Sequence, residues 1–103
     1  MEFLAARPCT GNSYVVYPRA MYNLPLHECG RVLARNGWHV KDMDLMIDAR
    51  SRESTFTLYR TGRLLINPCP DEKTALERAA SLFGTIENDR KLGRILRGEG
   101  ALL

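Results

Sequence analysis

The spacing of apolar residues changes once between Met43 and Phe83. Through MDLMIDAR, STFTLYR and RLLIN the apolar positions alternate: Met43, Leu45, Ile47 and Ala49, then Phe56 and Leu58, then Leu64 and Ile66. Period two is the mark of strands that bury one face. Beyond Asp71 the period lengthens, and Leu76, Ala79, Ala80, Phe83 and Ile86 recur at three and four residues. That is a helical stripe able to cover the apolar face of a sheet. The pattern predicts a three-stranded meander followed by a helix.

The preceding part of the chain supplies one strand and one helix. Residues 1–12 read as an N-terminal arm or short strand, broken by Pro8 and Gly11. Tyr14 to Met21 is rich in aromatic and β-branched residues and predicts a strand, with Pro18 marking an edge or a bulge. Asn23 to Asn36 predicts a helix with Asn23 as its cap, Pro25 in its first turn and Gly37 as its stop. Its apolar stripe is Leu26, Cys29, Val32 and Leu33, and Trp38 then enters the sheet region as a large core or rim residue. Ser51-Arg52-Glu53 and Thr61-Gly62 join the meander strands, the glycine suiting a hairpin turn. Asn67-Pro68 ends the last strand, and Asp71 and Glu72 open the second helix. Residues 88–103 form a basic C-terminal tail, read as a solvated helical end, with Leu92, Ile95 and Leu96 on one side and Arg90, Lys91, Arg94 and Arg97 flanking. The expected architecture is α+β: a two-layer sandwich, residues 1–103 as one domain, with an antiparallel sheet (strand, helix, three-stranded meander, helix) and its helices on one face.

Composition narrows the class without naming an activity. A hydrophobic share of 45% with 26% charged residues excludes a disordered chain. No apolar run nears the ~20 residues of a membrane span, and MEFLAARPCTGNS does not read as a signal peptide, so a cytoplasmic location is expected. Cys9, Cys29 and Cys69 lack metal-ligand spacing and read as free thiols, so no metal and no cofactor is expected. A reactive thiol would be Cys29, beside His27, or Cys69, just before a helix start. No glycine-rich phosphate loop, nucleophile elbow or HExxH is present, and His27 and His39 lie on no metal spacing. Asp44 and Asp48, on one strand, would stand roughly 13 Å apart by strand rise, too far for a paired-carboxylate mechanism. With Asp42 they would hold a divalent cation only if other oxygen ligands joined them.

The order strand, helix, meander, helix resembles one half-repeat of the TATA-box-binding protein fold, over roughly Tyr14 to Ile86. LYRTGRLLI, Leu58 to Ile66, is the most specific segment. The resemblance puts Tyr59 where the family has a DNA-intercalating phenylalanine, Gly62 on its stirrup glycine and Arg63 on the following lysine. The family has two half-repeats in one chain, and this chain has one. The family's other intercalating aromatic falls on Asp42. Counting alternately from Tyr59 places Asp42, Asp44, Met46, Asp48 and Arg50, then Thr55 and Thr57, then Arg63, Leu65 and Asn67 on the sheet face away from the helices. Three aspartates there would repel phosphates, so tight TATA-like duplex binding is not expected.

Three functions are weighed on these residues. The first is a non-enzymatic interaction module that pairs with itself as a homodimer, through a sheet edge or through the open face of Asp44, Met46, Asp48, Arg50, Thr57, Tyr59, Arg63 and Leu65. The alternative is a nucleic-acid binder using Arg50, Arg52, Arg60 and Arg63 near the hairpin ends with Arg94 and Arg97 of the tail; the net charge of +3 permits an acidic partner. The third is an enzyme acting on a small molecule at the sheet face.

Overall fold

Val16, Ile47, Ala49, Phe56, Leu58, Leu64 and Ile66 are all buried, and each strand that carries them turns its other residues to the opposite side. This alternation is the physical basis of the architecture, seen in a computed structural model that describes residues 1–98. The elements in chain order are β1 (Phe3–Pro8), β2 (Tyr14–Pro18), α1 (Leu26–Arg35), β3 (His39–Asp42), β4 (Met46–Arg50), β5 (Thr55–Tyr59), β6 (Leu64–Asn67), α2 (Glu72–Glu87) and α3 (Arg90–Leu96). The strands form one antiparallel sheet of order β1-β2-β6-β5-β4-β3. The helices cover one face of it. The α+β two-layer fold is therefore the one the hydrophobic pattern predicts.

Two strands take their definition from the structure. The segment expected as an arm or short strand holds a strand, β1, antiparallel to β2, with a register irregularity between Phe3 and Ala5. Pro18 accordingly closes an inner strand opposite Phe3, beside that irregularity, and does not lie on an edge. The meander has a fourth strand, β3, whose single apolar residue, Val40, packs toward α1 at Gly30. A turn over residues 43–45 joins it to β4. Asp44 has a φ of 73°, and Met43 N–H donates to Met46 carbonyl at 2.9 Å. Met43 and Leu45, expected inside, are exposed in this turn, Leu45 at 70%.

The first helix also differs at its start. Asn23 does not cap it; the helix begins at Leu26 after Pro25, with no side-chain cap. The reason is a competing set of bonds. Residues 22–24 run as a strap along the β5–β6 turn, where Tyr22 N–H donates to Thr61 carbonyl at 3.2 Å and Leu24 N–H to Arg60 carbonyl at 2.9 Å. Tyr22 and Leu24 are buried, and these bonds give their N–H groups partners outside the helix.

At the other end, Asp71 caps α2 by accepting from Thr74 N–H at 2.7 Å. Those bonds hold its carboxyl below the usual carboxylate range. The tail corrects a further expectation. Leu92 and Leu96 are core residues, not one side of a solvated end. Asp89 caps α3 through Leu92 N–H at 3.0 Å, Lys91 bridges to Glu28 of α1 at 3.0 Å, and Tyr22 hydroxyl donates to Leu96 carbonyl at 3.2 Å. Residues 99–103 of the tail lie outside the described residues.

Candidate functional site

The open sheet face follows from strand register. Directly opposed residues of neighbouring antiparallel strands point the same way. One row crosses all six strands: Arg7, Val15, Leu65, Thr57, Asp48 and Lys41. A second carries Ala5 beside Tyr17 and Tyr59 beside Met46. A third runs Asn67, Thr55, Arg50 and His39. Among the described residues no helix covers this face. Val15, Tyr17, Met46, Thr57, Tyr59 and Leu65 are half-buried, so the face has an apolar and hydroxyl-bearing middle.

Charges border that middle. The Arg63 guanidinium lies over the Tyr59 ring, 4.6 Å from its centroid. This cation–π contact holds an exposed arginine flat against the sheet and orders the tyrosine. Asp48 accepts a hydrogen bond from Thr57 hydroxyl at 2.8 Å across the β4–β5 pair. Among the described residues, Arg7, Lys41, Arg50 and Arg63 thus share the face with one carboxylate, and that carboxylate already has a donor.

Seven of the eight residues expected on the face are brought together there: Met46, Asp48, Arg50, Thr57, Tyr59, Arg63 and Leu65. Asp44 is not. It sits in the β3–β4 turn, where its N–H donates to Asp42 Oδ1 at 2.9 Å. Asp42 is not on the open face either. It is registered opposite the fully buried Ile47, which places it on the helix-covered side. There its Oδ2 lies 2.8 Å from His27 Nδ1 of α1. The backbone N–H of Asp44, followed by the His27 ring, holds the Asp42 carboxyl below its ordinary range. A count of alternate residues continued back through 43–45 assumes one unbroken strand; the left-handed residue in the turn breaks it. Two of the three aspartates thereby leave the surface they were expected to make repulsive.

The arginines expected at nucleic acid also divide. Arg50 and Arg63 lie on the open face, and Arg52 is in the β4–β5 turn. Arg60 borders a hollow with Pro25, His27 and Asp42. Arg94 and Arg97 belong to the helical layer, on α3 and at its end. Arg7, Val15, Tyr17, His39 and Lys41 were missed, because they lie on β1, on β3 or on the outer face of β2. The signal for β1 was available in FLAARP, which ends three residues before the chain turns at Gly11.

Beside the face lies a groove of about 550 Å³, between β1, the end of β2, residues 19–21 and the β5–β6 turn. Leu4, Tyr17, Pro18 and Met21 line it together with Arg7 and Arg63. Leu4 is 63% and Met21 74% exposed.

The thiols are separate from this region. Cys29 is buried on the inner side of α1, and burial pushes its thiol up to about 12. Burial also raises Cys69. Cys9 is exposed, and a hydrogen bond from the Thr10 backbone lowers its thiol. Among the described residues no three His, Cys, Asp or Glu side chains stand together as metal ligands, and no helix is long and apolar enough to cross a membrane. No family model, no curated protein and no solved structure matches this chain.

Proposed function

We propose that the protein is a non-enzymatic binding module whose open sheet face takes single-stranded nucleic acid. The observation that carries this is the departure of Asp42 and Asp44 from the face. What remains is Arg7, Lys41, Arg50 and Arg63 against Asp48, with Tyr17 and Tyr59 between them. Cations that follow a strand, interleaved with aromatic rings on which bases can stack, are the parts such binding needs. A sheet with aromatics on its free face is also a recurrent platform for unpaired bases.

The homodimer is supported less by the same geometry. Two faces stacked about a two-fold axis would set these cations against their own copies, with only Asp48 of each chain to offset them. The edges are guarded as well: β1 carries Pro8 and a register irregularity, and β3 is four residues long and holds Lys41. The likeness to a TATA-box-binding half-repeat belongs to this proposal, and β2, α1, the meander and α2 follow in the order it implies. Duplex kinking of that family's type is not part of it, since the second wedge position, Asp42, is on the covered side.

The test is fluorescence anisotropy with a labelled dT12 strand across a salt series. Four phosphate contacts give a slope of log affinity against log salt of about −2.8, so affinity is expected to fall about fifty-fold from 50 to 200 mM salt. Replacing Arg7, Lys41, Arg50 and Arg63 by alanine together should flatten the slope. A wild-type slope shallower than about −1, or a quadruple variant that binds like wild type, defeats the proposal.

A further inference from the structure

Resting on that reading, we infer that the groove beside β1 receives one unstacked nucleobase of the bound strand, so that the module holds a base as well as a backbone. Single exposed apolar residues are ordinary on a protein surface. Leu4 and Met21 are different, because two of the most exposed large apolar side chains among the described residues line the same hollow. Its volume, about 550 Å³, falls in the range of small-ligand sites. Ala5 and Ala20 also line it, and longer side chains at those positions would fill the space.

The hollow is held open by backbone. The strap bonds from Tyr22 to Thr61 and from Leu24 to Arg60 tie the segment after Met21 to the β5–β6 turn. On the opposite side, Leu4 belongs to β1, whose partners on β2 include Tyr17. Neither wall depends on a ligand to form.

The occupant follows from charge and from continuity. Tyr17, Arg7 and Arg63 belong both to the groove and to the proposed track. The third arginine of the lining, Arg19, is engaged by Glu2 at 3.3 Å. A ligand here needs an apolar flat part against Tyr17, Leu4 and Met21, and negative charge for Arg7 and Arg63 of the lining. A nucleotide flanked by its own phosphates has both, and it reaches the groove without leaving the sheet.

The experiment uses the whole chain, two probes and one variant. The probes are fluorescein-labelled dT12 and the same strand made of abasic residues, both at 50 mM salt. The variant is the double substitution Leu4→Ser with Met21→Ser, at two exposed positions where the fold has little to lose. One lost base contact should weaken dT12 binding about five- to a hundred-fold, with the salt slope unchanged. Wild type should bind the abasic strand more weakly still, because stacking on Tyr17 and Tyr59 is lost along with the groove contact, and the variant should lose less than wild type on going from dT12 to the abasic strand. If the variant binds dT12 like wild type, or loses as much as wild type on going to the abasic strand, the groove inference fails while the track survives. If wild type binds neither strand with a steep salt slope, both fail. Tight binding of an acidic, leucine-containing peptide by wild type that does not bind dT12 also overturns both, in favour of a peptide groove.

Discussion

Replacing Phe56 by alanine is expected to destabilise the fold by about 3–5 kcal/mol. Phe56 is 2% exposed, in the middle of β5, and Trp38 meets its ring edge-on, with centroids 5.2 Å apart at 79°. The substitution removes the transfer free energy of a large ring and leaves a cavity between sheet and helices that Trp38 cannot fill without losing its own contact. Neighbours on the same layer, Ile47, Ala49, Leu58 and Ile66, are held by the sheet and have little room to collapse inward. Urea titration measures this through the shift in midpoint at unchanged slope. A loss below about 1 kcal/mol would mean that the ring does not sit in the core.

The second large effect is expected at Gly62. Its φ of 96° is a conformation that side chains strain to adopt, and a Cβ there would stand 3.0 Å from Tyr22 Cδ2 and 3.2 Å from Pro18 Cγ. Gly37 is the natural control: its φ is 92°, and a Cβ on it would meet nothing within 4 Å. Gly37→Ala should therefore carry the backbone cost alone, about 1–3 kcal/mol. Gly62→Ala should exceed it by about 1–3 kcal/mol, because Tyr22 is buried and hydrogen-bonded to Leu96 and cannot swing away. Equal losses in the two variants, measured by thermal or urea unfolding, would show that the strap yields freely.

These two positions also mark where the sequence was readable. Phe56 sits in a stretch of clean alternation, so its face and its depth were evident from its neighbours. Gly62 was legible as a hairpin glycine from its place between two strands. The strap over the turn was not, because Tyr22, Asn23 and Leu24 look like the approach to a capped helix, and only tertiary bonds show otherwise. The face was legible wherever strands alternate, which gave Met46, Asp48, Arg50, Thr57, Tyr59, Arg63 and Leu65. It failed at Asp44, where a left-handed residue ended one strand and reset the parity of the next. It missed Lys41 and Arg7 because edge strands bury only one flank and show weak periodicity. The groove was invisible for a plainer reason: Leu4 and Met21 meet only after β1 has found β2.

The strand order has a consequence in time as well as in space. Every pair in the meander from β3 to β6 joins residues close in sequence, and so does β1 with β2. The seam between β2 and β6 instead joins residues about fifty positions apart, Tyr14 to Ile66 and Val16 to Leu64, through three registered pairs. Loop closure must be met before those pairs repay it. The meander is therefore expected to form first and the N-terminal hairpin to dock last. In pulse-labelled hydrogen exchange during refolding, amides of Ile47, Ala49 and Leu58 should gain protection before those of Val16 and Leu64; simultaneous protection would contradict this order. Since Leu4 and Tyr17 arrive with that hairpin, the groove is the last part of the molecule to come into being and the first to open.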